Sequence, residues 1–206
     1  MQGIKIAVFA SGSGSNLQAL IDQQANFKGE ISLVFSNRRQ ALALERAKKH
    51  GINTYYQNIK DYVDAQAYDQ ALLEKMKAEE IDLIVLAGYL RILSPDFIKA
   101  YPHAIINVHP SLLPAFSGDG FYGKKVHEAV LARGCKVSGA SVHFVDEGTD
   151  TGPIIFQKTV DVDEDETAES LAKKVLAIEH ELLPKAVQAY SLGQIKIENG
   201  KVSIGE

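Results

Sequence analysis

Residues 4–16 read IKIAVFASGSGSN, and this stretch decides the fold. Its first seven residues form a short apolar run rich in isoleucine and valine, which predicts a buried β-strand over 4–10. A glycine-serine loop follows over 11–15, and leucines at helical spacing then predict a helix over 16–24. A strand, a glycine-rich turn and a helix in this order are typical of the first unit of an α/β fold.

The rest of the first half repeats this alternation. Strands are predicted over 31–35, 54–57, 83–87 and 105–108, and helices over 41–50, 68–79 and 95–100. Ser94 followed by Pro95 is a typical helix start, and Gly51 a typical helix end. Strands that alternate with helices imply right-handed crossovers, so we expect a mostly parallel twisted sheet with helices on both faces.

The second half changes character. After a helical segment, two longer segments over 137–145 and 154–162 predict antiparallel strands late in the chain. The patterns further predict helices over 123–133 and 167–190 and a hairpin over 196–203 that turns at Asn199-Gly200. The expected fold class is therefore α/β and Rossmann-like, in a single domain over 1–206.

Composition narrows the possible functions. The net charge is −4, and the Lys and Arg residues form no long basic stripe, so we expect no nucleic-acid partner. No apolar run approaches the roughly 18 residues that span a bilayer, so we expect no membrane partner. The single cysteine, Cys135, allows no intrachain disulfide and no thiolate zinc site, which favours a reducing, cytoplasmic location. His109, His127 and His143 are not spaced as metal ligands, so we expect no metal.

The glycine-serine loop is the first candidate site, because glycines and a helix start together can cradle a phosphate. Leu17 stands where a dinucleotide fingerprint needs a third glycine. Ser36-Asn37-Arg38, at the end of the second strand, supplies no acidic ribose partner. A single phosphate is thus favoured over a dinucleotide. The alternative is a tight turn before an ordinary helix.

The second candidate site is built on Asn107 and His109, two residues apart at a strand end and so on one side of it. An amide and an imidazole aimed at one point can stabilise an oxyanion and move a proton. A carboxylate from the polar loop over 146–153 could keep that imidazole charged. The alternatives are a capped strand end with a structural histidine and an ordinary Asp-Gly turn.

Two further segments carry chemistry of their own. Arg91 lies among apolar residues after the strand over 83–87, which suits a flat ring with polar edges; the alternative is a surface arginine between core leucines. Glu179 in the last long helix could reach a substrate hydroxyl or amine, whereas the alternative is a solvated helix face.

Three stretches carry a resemblance to a known family: residues 88–95, residues 107–114 (NVHPSLLP), and the strand VHFV at 142–145 with DTGP at 150–153. In this order, and over nearly the whole chain, the sequence resembles the phosphoribosylglycinamide formyltransferases, folate-dependent enzymes of purine synthesis. The resemblance implies transfer of the formyl group of 10-formyltetrahydrofolate, as co-substrate, to the amine of glycinamide ribonucleotide. It also implies a phosphate-binding half over 1–100 and a folate-binding and catalytic half over 101–206, in a monomer or homodimer.

The resemblance assigns roles position by position. It implies that the catalytic residues are Asn107, His109 and Asp150. The residues implied to bind the substrate phosphate are Gly14, Ser15 and Asn16, and the residue implied to contact the rest of the substrate is Glu179. The residues implied to bind folate are Leu90, Arg91, Ile92, Leu93, Asn107, Asp146, Glu147, Gly148, Thr149 and Asp150.

The sequence departs from the family pattern in two places. Ala65 stands where many relatives carry a basic residue that touches folate, and the loop over 117–123 is longer and richer in glycine, which favours a mobile lid. Three alternatives stay open. Methionyl-tRNA formyltransferase shares the residues around His109 but carries an added domain, and formyltetrahydrofolate hydrolase transfers formyl to water. A non-catalytic phosphate-binding module would explain only the glycine-serine loop and the sheet.

Overall fold

The computed structural model describes residues 3–205, which form nine strands, six α-helices and two short 3₁₀ helices, Gln24–Asn26 and Ile59–Asp61. The strands are β1 (Ile4–Phe9), β2 (Gly29–Ser36), β3 (Asn53–Tyr56), β4 (Leu83–Leu86), β5 (Ile105–His109), β6 (Val137–Phe144), β7 (Ile154–Asp161), β8 (Ile195–Glu198) and β9 (Lys201–Ile204). The helices are α1 (Ser15–Asp22), α2 (Leu42–Lys49), α3 (Ala65–Ala78), α4 (Pro95–Ala100), α5 (Lys124–Arg133) and α6 (Ala168–Ser191).

Strands β1 to β7 form one sheet in the order β3-β2-β1-β4-β5-β6-β7, and β8 and β9 form a separate hairpin. β1 pairs in parallel with β2 and β4, and β2 pairs in parallel with β3. β6 and β7 are antiparallel. The prediction of a mostly parallel, Rossmann-like α/β sheet with antiparallel strands late in the chain is confirmed. Backbone contacts divide the chain between Ile106 and Asn107 into two compact units.

The core of the first unit is built around β1. Its apolar run is buried on both faces, as expected for a strand with a parallel neighbour on each side, and Phe9 is fully buried. Phe9 packs edge-on against Phe35 of β2, with ring centroids 4.7 Å apart, and against Tyr89 at 5.5 Å. The first strand thus anchors the loops that follow β1 and β4.

In the second unit, α6 covers β6 with an apolar stripe that includes Leu171, Val175 and Leu183, all fully buried. The helix begins after Thr167, whose hydroxyl accepts a hydrogen bond from the Ser170 N–H at 3.1 Å. This cap satisfies one of the donors that a helix start leaves unpaired, so the apolar stripe and the cap together fix the helix on the strand.

The first residues of helices α3 and α4 are set by capping side chains. α4 begins at Pro95 as predicted, and the Ser94 hydroxyl accepts from the Phe97 N–H at 3.3 Å. α3 begins three residues earlier than the predicted residue 68, because the Asp64 carboxylate caps it by accepting from the Ala67 N–H at 2.7 Å. None of the described helices is long and apolar enough to cross a membrane.

Candidate active site

Strand β5 places Asn107 and His109 at its carboxyl end, two residues apart and therefore on one side of the strand. Both lie in the second unit, as does Asp150, which follows β6 in the polar loop. His109 is 4% exposed. The structure thus brings the three predicted catalytic residues together within a single unit.

The imidazole of His109 lies between two hydrogen-bond acceptors. Its Nε2 is 2.9 Å from the carbonyl oxygen of Phe116, and its Nδ1 is 3.5 Å from Oδ2 of Asp150. A carbonyl can only accept, so Nε2 carries a proton and donates it. An ionised carboxylate also only accepts, and the doubly protonated imidazolium is therefore the form that satisfies both neighbours.

Asn107 is oriented by a second histidine. Its Nδ2 lies 3.1 Å from Nε2 of His143 and 3.5 Å from Oδ1 of Asp150. The other ring nitrogen of His143, Nδ1, is 2.8 Å from the Phe144 carbonyl and so carries the proton. In this tautomer Nε2 of His143 accepts from the Asn107 amide, which fixes the side of Asn107 that presents donors.

Asp150 connects the two halves of this cluster. One carboxylate oxygen faces His109 and accepts from the Gly118 N–H at 3.2 Å, while the other lies 3.7 Å from Nε2 of His143. Burial raises the pKa of Asp150, but the charge of His109 and the Gly118 N–H act against it, and the pKa lies below its ordinary value. Asp150 is therefore ionised at neutral pH.

We expect Asp150→Asn to lower stability at neutral pH by an amount that shrinks in acid. A carboxyl whose pKa is depressed by folding contributes stability above its unfolded pKa of about 3.9, and this contribution is lost as the pH falls through the folded value. Urea unfolding of both proteins at pH 7, 5 and 3.5 measures the difference. A pH-independent difference would contradict this. Asp119→Asn, at an exposed position, is the matched control.

The loop that contains the predicted folate residues is closed on itself. Oδ1 of Asp146 accepts from the Gly148 N–H at 3.1 Å and from the Thr151 hydroxyl at 2.6 Å. A Cβ atom on Gly148 would lie 2.0 Å from that hydroxyl, so a larger residue there would displace the Thr151 side chain. Asp146 therefore shapes the loop, while Glu147 and Thr149 are exposed.

In the first unit, the glycine-serine loop ends in α1. Gly14 precedes the helix with φ of 72° and offers no side-chain cap, and Ser15 and Asn16 begin it. The loop is held by the Ser11 hydroxyl, which donates to Asn37 at 2.7 Å and accepts from the Leu90 N–H at 3.0 Å. A helix start without a side-chain cap, fixed by a tight loop, is suited to bind an anion.

We expect Gly14→Ala to destabilise the protein by about 2 kcal/mol or more. The positive φ strains any L side chain, and an added Cβ would lie 2.7 Å from Cα of Ala43. Gly51→Ala is the control, because Gly51 has φ of 70° but no atom within 4 Å of the added Cβ. Denaturant unfolding of both variants separates strain from the clash, and equal losses would contradict the role of Ala43.

The remaining predicted residues lie in two places. In residues 90–93, Leu90 and Ile92 are 50% and 70% exposed, Leu93 is buried, and the Arg91 guanidinium lies 4.7 Å from the ring centre of Tyr68. Leu90 and Ile92 are thus an exposed apolar pair, and the Arg91 guanidinium between them in sequence lies over an aromatic ring. Glu179 on α6 is buried, so the solvated-face alternative for it is wrong.

Three groups of the site are not predicted from the sequence. The sequence analysis weighs His143 only as a metal ligand. Its position at the end of a strand, just before the polar loop, is the signal that could have indicated a role in the site. The carbonyl of Phe116 and the N–H of Gly118 are main-chain groups without a sequence signal. Across residues 3–205, the structure shows no group of three or more His, Cys, Asp or Glu side chains able to hold a metal ion.

The chain is similar to known formyltransferases in sequence and in fold. The chain is 39% identical over 186 residues to the phosphoribosylglycinamide formyltransferase of Bacillus subtilis (strain 168), covering 89% of this chain and 93% of that protein. The crystal structure of glycinamide ribonucleotide transformylase 1 from Symbiobacterium toebii is 40% identical with a TM-score of 0.94, covering 100% of this chain and 95% of that one.

The chain is also similar in fold to a solved structure that is named a deformylase and not a formyltransferase. A formyltetrahydrofolate deformylase from Pseudomonas syringae pv. tomato is 26% identical with a TM-score of 0.88, covering 100% of this chain and 67% of that one. The family model described as formyl transferase matches residues 4–187, which is most of the chain. With this match over the strands and helices that carry both candidate sites, the chain belongs to the formyl transferase family.

Proposed function

We propose that the protein transfers the formyl group of 10-formyltetrahydrofolate to the amine of glycinamide ribonucleotide, giving N-formylglycinamide ribonucleotide and tetrahydrofolate in purine synthesis. Members of the family use a formyltetrahydrofolate as co-substrate. The observation that carries the proposal is the partly buried cluster of Asn107, His109 and Asp150 in a chain whose relatives are named for this reaction.

In the proposed reaction the substrate amine attacks the formyl carbon. A new carbon–nitrogen bond forms, negative charge develops on the former carbonyl oxygen, and the bond from that carbon to the folate nitrogen then breaks. A proton moves from the attacking nitrogen to the leaving one. Asn107 and the charged His109 donate hydrogen bonds to the developing oxyanion, which lowers the barrier because they stabilise the charge that forms on that oxygen.

His109 can do this only if it exchanges one acceptor for another. In the structure its Nε2–H donates to the Phe116 carbonyl at 2.9 Å. The oxyanion would take the place of that carbonyl, so the loop containing Phe116 moves when substrate binds. Four glycine or strained positions in that loop (Phe116, Gly118, Gly120 and Gly123, all with positive φ) are consistent with a segment that has more than one conformation.

Asp150 and His143 have supporting roles in this scheme. The carboxylate of Asp150, 3.5 Å from Nδ1 of His109, stabilises the imidazolium and can pass the proton between the two nitrogens through water. His143 holds the amide of Asn107 so that its N–H groups, rather than its oxygen, face the reacting centre.

Substrate contacts outside the cluster are part of the proposal. Gly14, Ser15 and Asn16 would hold the phosphate at the start of α1, and the buried carboxylate of Glu179 would accept from a substrate hydroxyl or amine. Residues 90–93 and 146–150 would line the folate site, with Arg91 and the exposed Leu90 and Ile92 against the ring. The cytoplasmic location and the monomeric or homodimeric state stay predictions.

The test is the formation of tetrahydrofolate from 10-formyltetrahydrofolate with and without glycinamide ribonucleotide. We expect product only when the amine substrate is present, together with N-formylglycinamide ribonucleotide in equal amount. The similarity to the deformylase makes hydrolysis the second candidate. Tetrahydrofolate and formate formed at the same rate without the amine would favour hydrolysis and contradict the proposal.

A further inference from the structure

Two facing residues of β6 and β7 hold the turn that follows His109. Ser141 on β6 and Gln157 on β7 lie opposite each other in the antiparallel pair. The hydroxyl of Ser141 accepts from the Leu113 N–H at 3.0 Å and donates to the Ser111 carbonyl at 2.7 Å. The side-chain amide of Gln157 donates to the Leu113 carbonyl at 3.0 Å and to the Ser141 hydroxyl at 2.8 Å. The two side chains, here called the Ser141–Gln157 clamp, thus bind three main-chain groups of one turn.

The Ser141 hydroxyl uses its full hydrogen-bonding capacity in this clamp. A serine hydroxyl can donate one hydrogen bond and accept two, and Ser141 makes all three. Ser141 is fully buried, so these bonds are what satisfies its polar group. Loss of the Gln157 amide would therefore take a donor from the Leu113 carbonyl and from the Ser141 hydroxyl at the same time.

Gln157 itself lies on the surface. It is exposed, and β7 is the edge strand of the sheet. Within residues 3–205, the hydrogen bonds of its side chain are the two that it donates inside the clamp. Because Gln157 fills no part of the core, its replacement tests the clamp without opening a buried cavity.

The clamped turn lies inside a loop whose two ends meet in the candidate active site. His109 precedes the turn, and its Nε2–H donates to the carbonyl of Phe116, which follows the turn, at 2.9 Å. Between these ends, the Ser111 hydroxyl donates to the Ala115 carbonyl at 2.5 Å, and the Ala115 N–H donates to the Leu112 carbonyl at 3.0 Å. The clamp binds the main chain within this loop and so fixes the loop to β6 and β7.

The proposed reaction requires one end of this loop to stay in place while the other end moves. The Phe116 carbonyl must leave His109 so that the oxyanion can take its place. The imidazole must meanwhile stay beside Asp150, whose Oδ2 lies 3.5 Å from its Nδ1. Within residues 107–123, positive φ values begin at Phe116, directly after the clamped turn. A turn fixed to the sheet can thus separate a stationary His109 from a segment that changes its torsion angles.

We propose that Gln157 is a positioning residue for the formyl transfer. Through the clamp it fixes residues 111–113, and the fixed turn keeps the His109 imidazole in place while the Phe116 carbonyl leaves it. The inference rests on the proposed function for the reaction that it serves. Gln157 contributes to the geometry of the transition state and not to substrate binding, because a donor displaced by about 1 Å stabilises the oxyanion far less.

The first test is the kinetics of Gln157→Ala and Gln157→Glu. Alanine removes both donated hydrogen bonds, and glutamate keeps the shape of the side chain but, when ionised, can only accept. We expect each variant to lower kcat roughly tenfold or more, with KM for both substrates within about twofold of the wild type. Gln157→Lys keeps a donor and should retain part of the rate.

Thr159→Ala is the matched control, because Thr159 is exposed on the same strand and its side chain forms none of the described hydrogen bonds. It should leave kcat unchanged. A folded Gln157→Glu protein with the wild-type kcat shows that the inference is wrong. A loss that appears in KM alone, or a loss of the same size in Thr159→Ala, does so as well.

A second set of variants tests whether Gln157 acts through Ser141. Ser141→Ala should lower kcat, whereas Ser138→Ala removes a buried hydroxyl of the same strand that has no partner within residues 3–205 and should leave kcat unchanged. Ser141→Thr keeps the hydroxyl and should retain more of the rate than alanine does. The double variant Ser141→Ala/Gln157→Ala should lie within about twofold of the slower single variant, since both act on one turn. Losses that multiply would show two independent effects and contradict the inference.

A measurement without substrate separates this inference from the proposed function. The Nε2–H of His109 donates to the Phe116 carbonyl, and NMR follows the exchange of this proton with water. Faster exchange in Gln157→Ala than in the wild type and in Thr159→Ala supports the clamp even if no formyl transfer is found. Formyl transfer with equal kcat in the wild type and Gln157→Ala, together with equal exchange, overturns the inference and leaves the proposed function intact.

Discussion

His109→Ala is expected to lower kcat by roughly a hundredfold to a thousandfold. The variant removes a donor to the developing oxyanion and also leaves Asp150 without its cationic neighbour at 3.5 Å. Because the donor acts in the transition state and not in substrate binding, kcat and kcat/KM should fall by the same factor. Steady-state rates with both substrates saturating, together with circular dichroism to verify the fold, measure this.

The control for this experiment is His50→Ala. His50 lies in the first unit and is exposed, and its side chain contacts only Gln18 in the described hydrogen bonds, so its removal should leave kcat unchanged. A folded His109→Ala protein that turns over at near the wild-type rate removes the imidazole from the mechanism. A rise in KM with kcat unchanged would assign His109 to substrate binding instead.

Asn107→Asp is expected to lower kcat at least as much as Asn107→Ala, by roughly a hundredfold or more. The change keeps the shape of the side chain but replaces the Nδ2 donor by an acceptor, 3.5 Å from the carboxylate of Asp150. The new charge repels both Asp150 and the oxyanion, so this variant should be worse than alanine. The pair of variants therefore separates the loss of a donor from the gain of a charge.

The pH dependence of the two Asn107 variants gives a second measurement. Two neighbouring carboxylates can share one proton, which relieves their repulsion as the pH falls. The ratio of the alanine rate to the aspartate rate should therefore decrease between pH 8 and pH 5. A ratio that stays constant across this range, or an aspartate variant that is the more active of the two, would show that the Asn107 amide is not a donor in the reaction.

Much of the fold follows from local patterns in the sequence. Ser94 and Pro95 predict the start of α4. Asn199-Gly200 predicts the turn of the final hairpin, and the φ values of these two residues, 50° and 73°, match that turn. The spacing of Asn107 and His109 on one strand predicts that they face the same side. These features need only a few neighbouring residues, which is why they can be read without a structure.

The contacts that complete the site depend on residues far apart in sequence. That His143 meets Asn107, 36 residues away, depends on where each strand lies and on which way each side chain points. The resemblance to a family supplies Asp150 as a candidate but not its partner Gly118, since every residue other than proline has a backbone N–H. The early start of α3 shows a smaller failure, because the cap at Asp64 precedes the apolar pattern.

The proposed catalytic groups His109 and Asp150 are each held by a main-chain atom of one short segment, the Phe116 carbonyl and the Gly118 N–H. The requirement on that segment is therefore chiefly on its torsion angles, including the positive φ of Phe116 and Gly118. In a saturation scan, most replacements at position 116 would be silent, whereas proline or a β-branched residue at 118 would inactivate the enzyme. A comparison of side-chain identities therefore does not register how closely such a segment is tied to the chemistry.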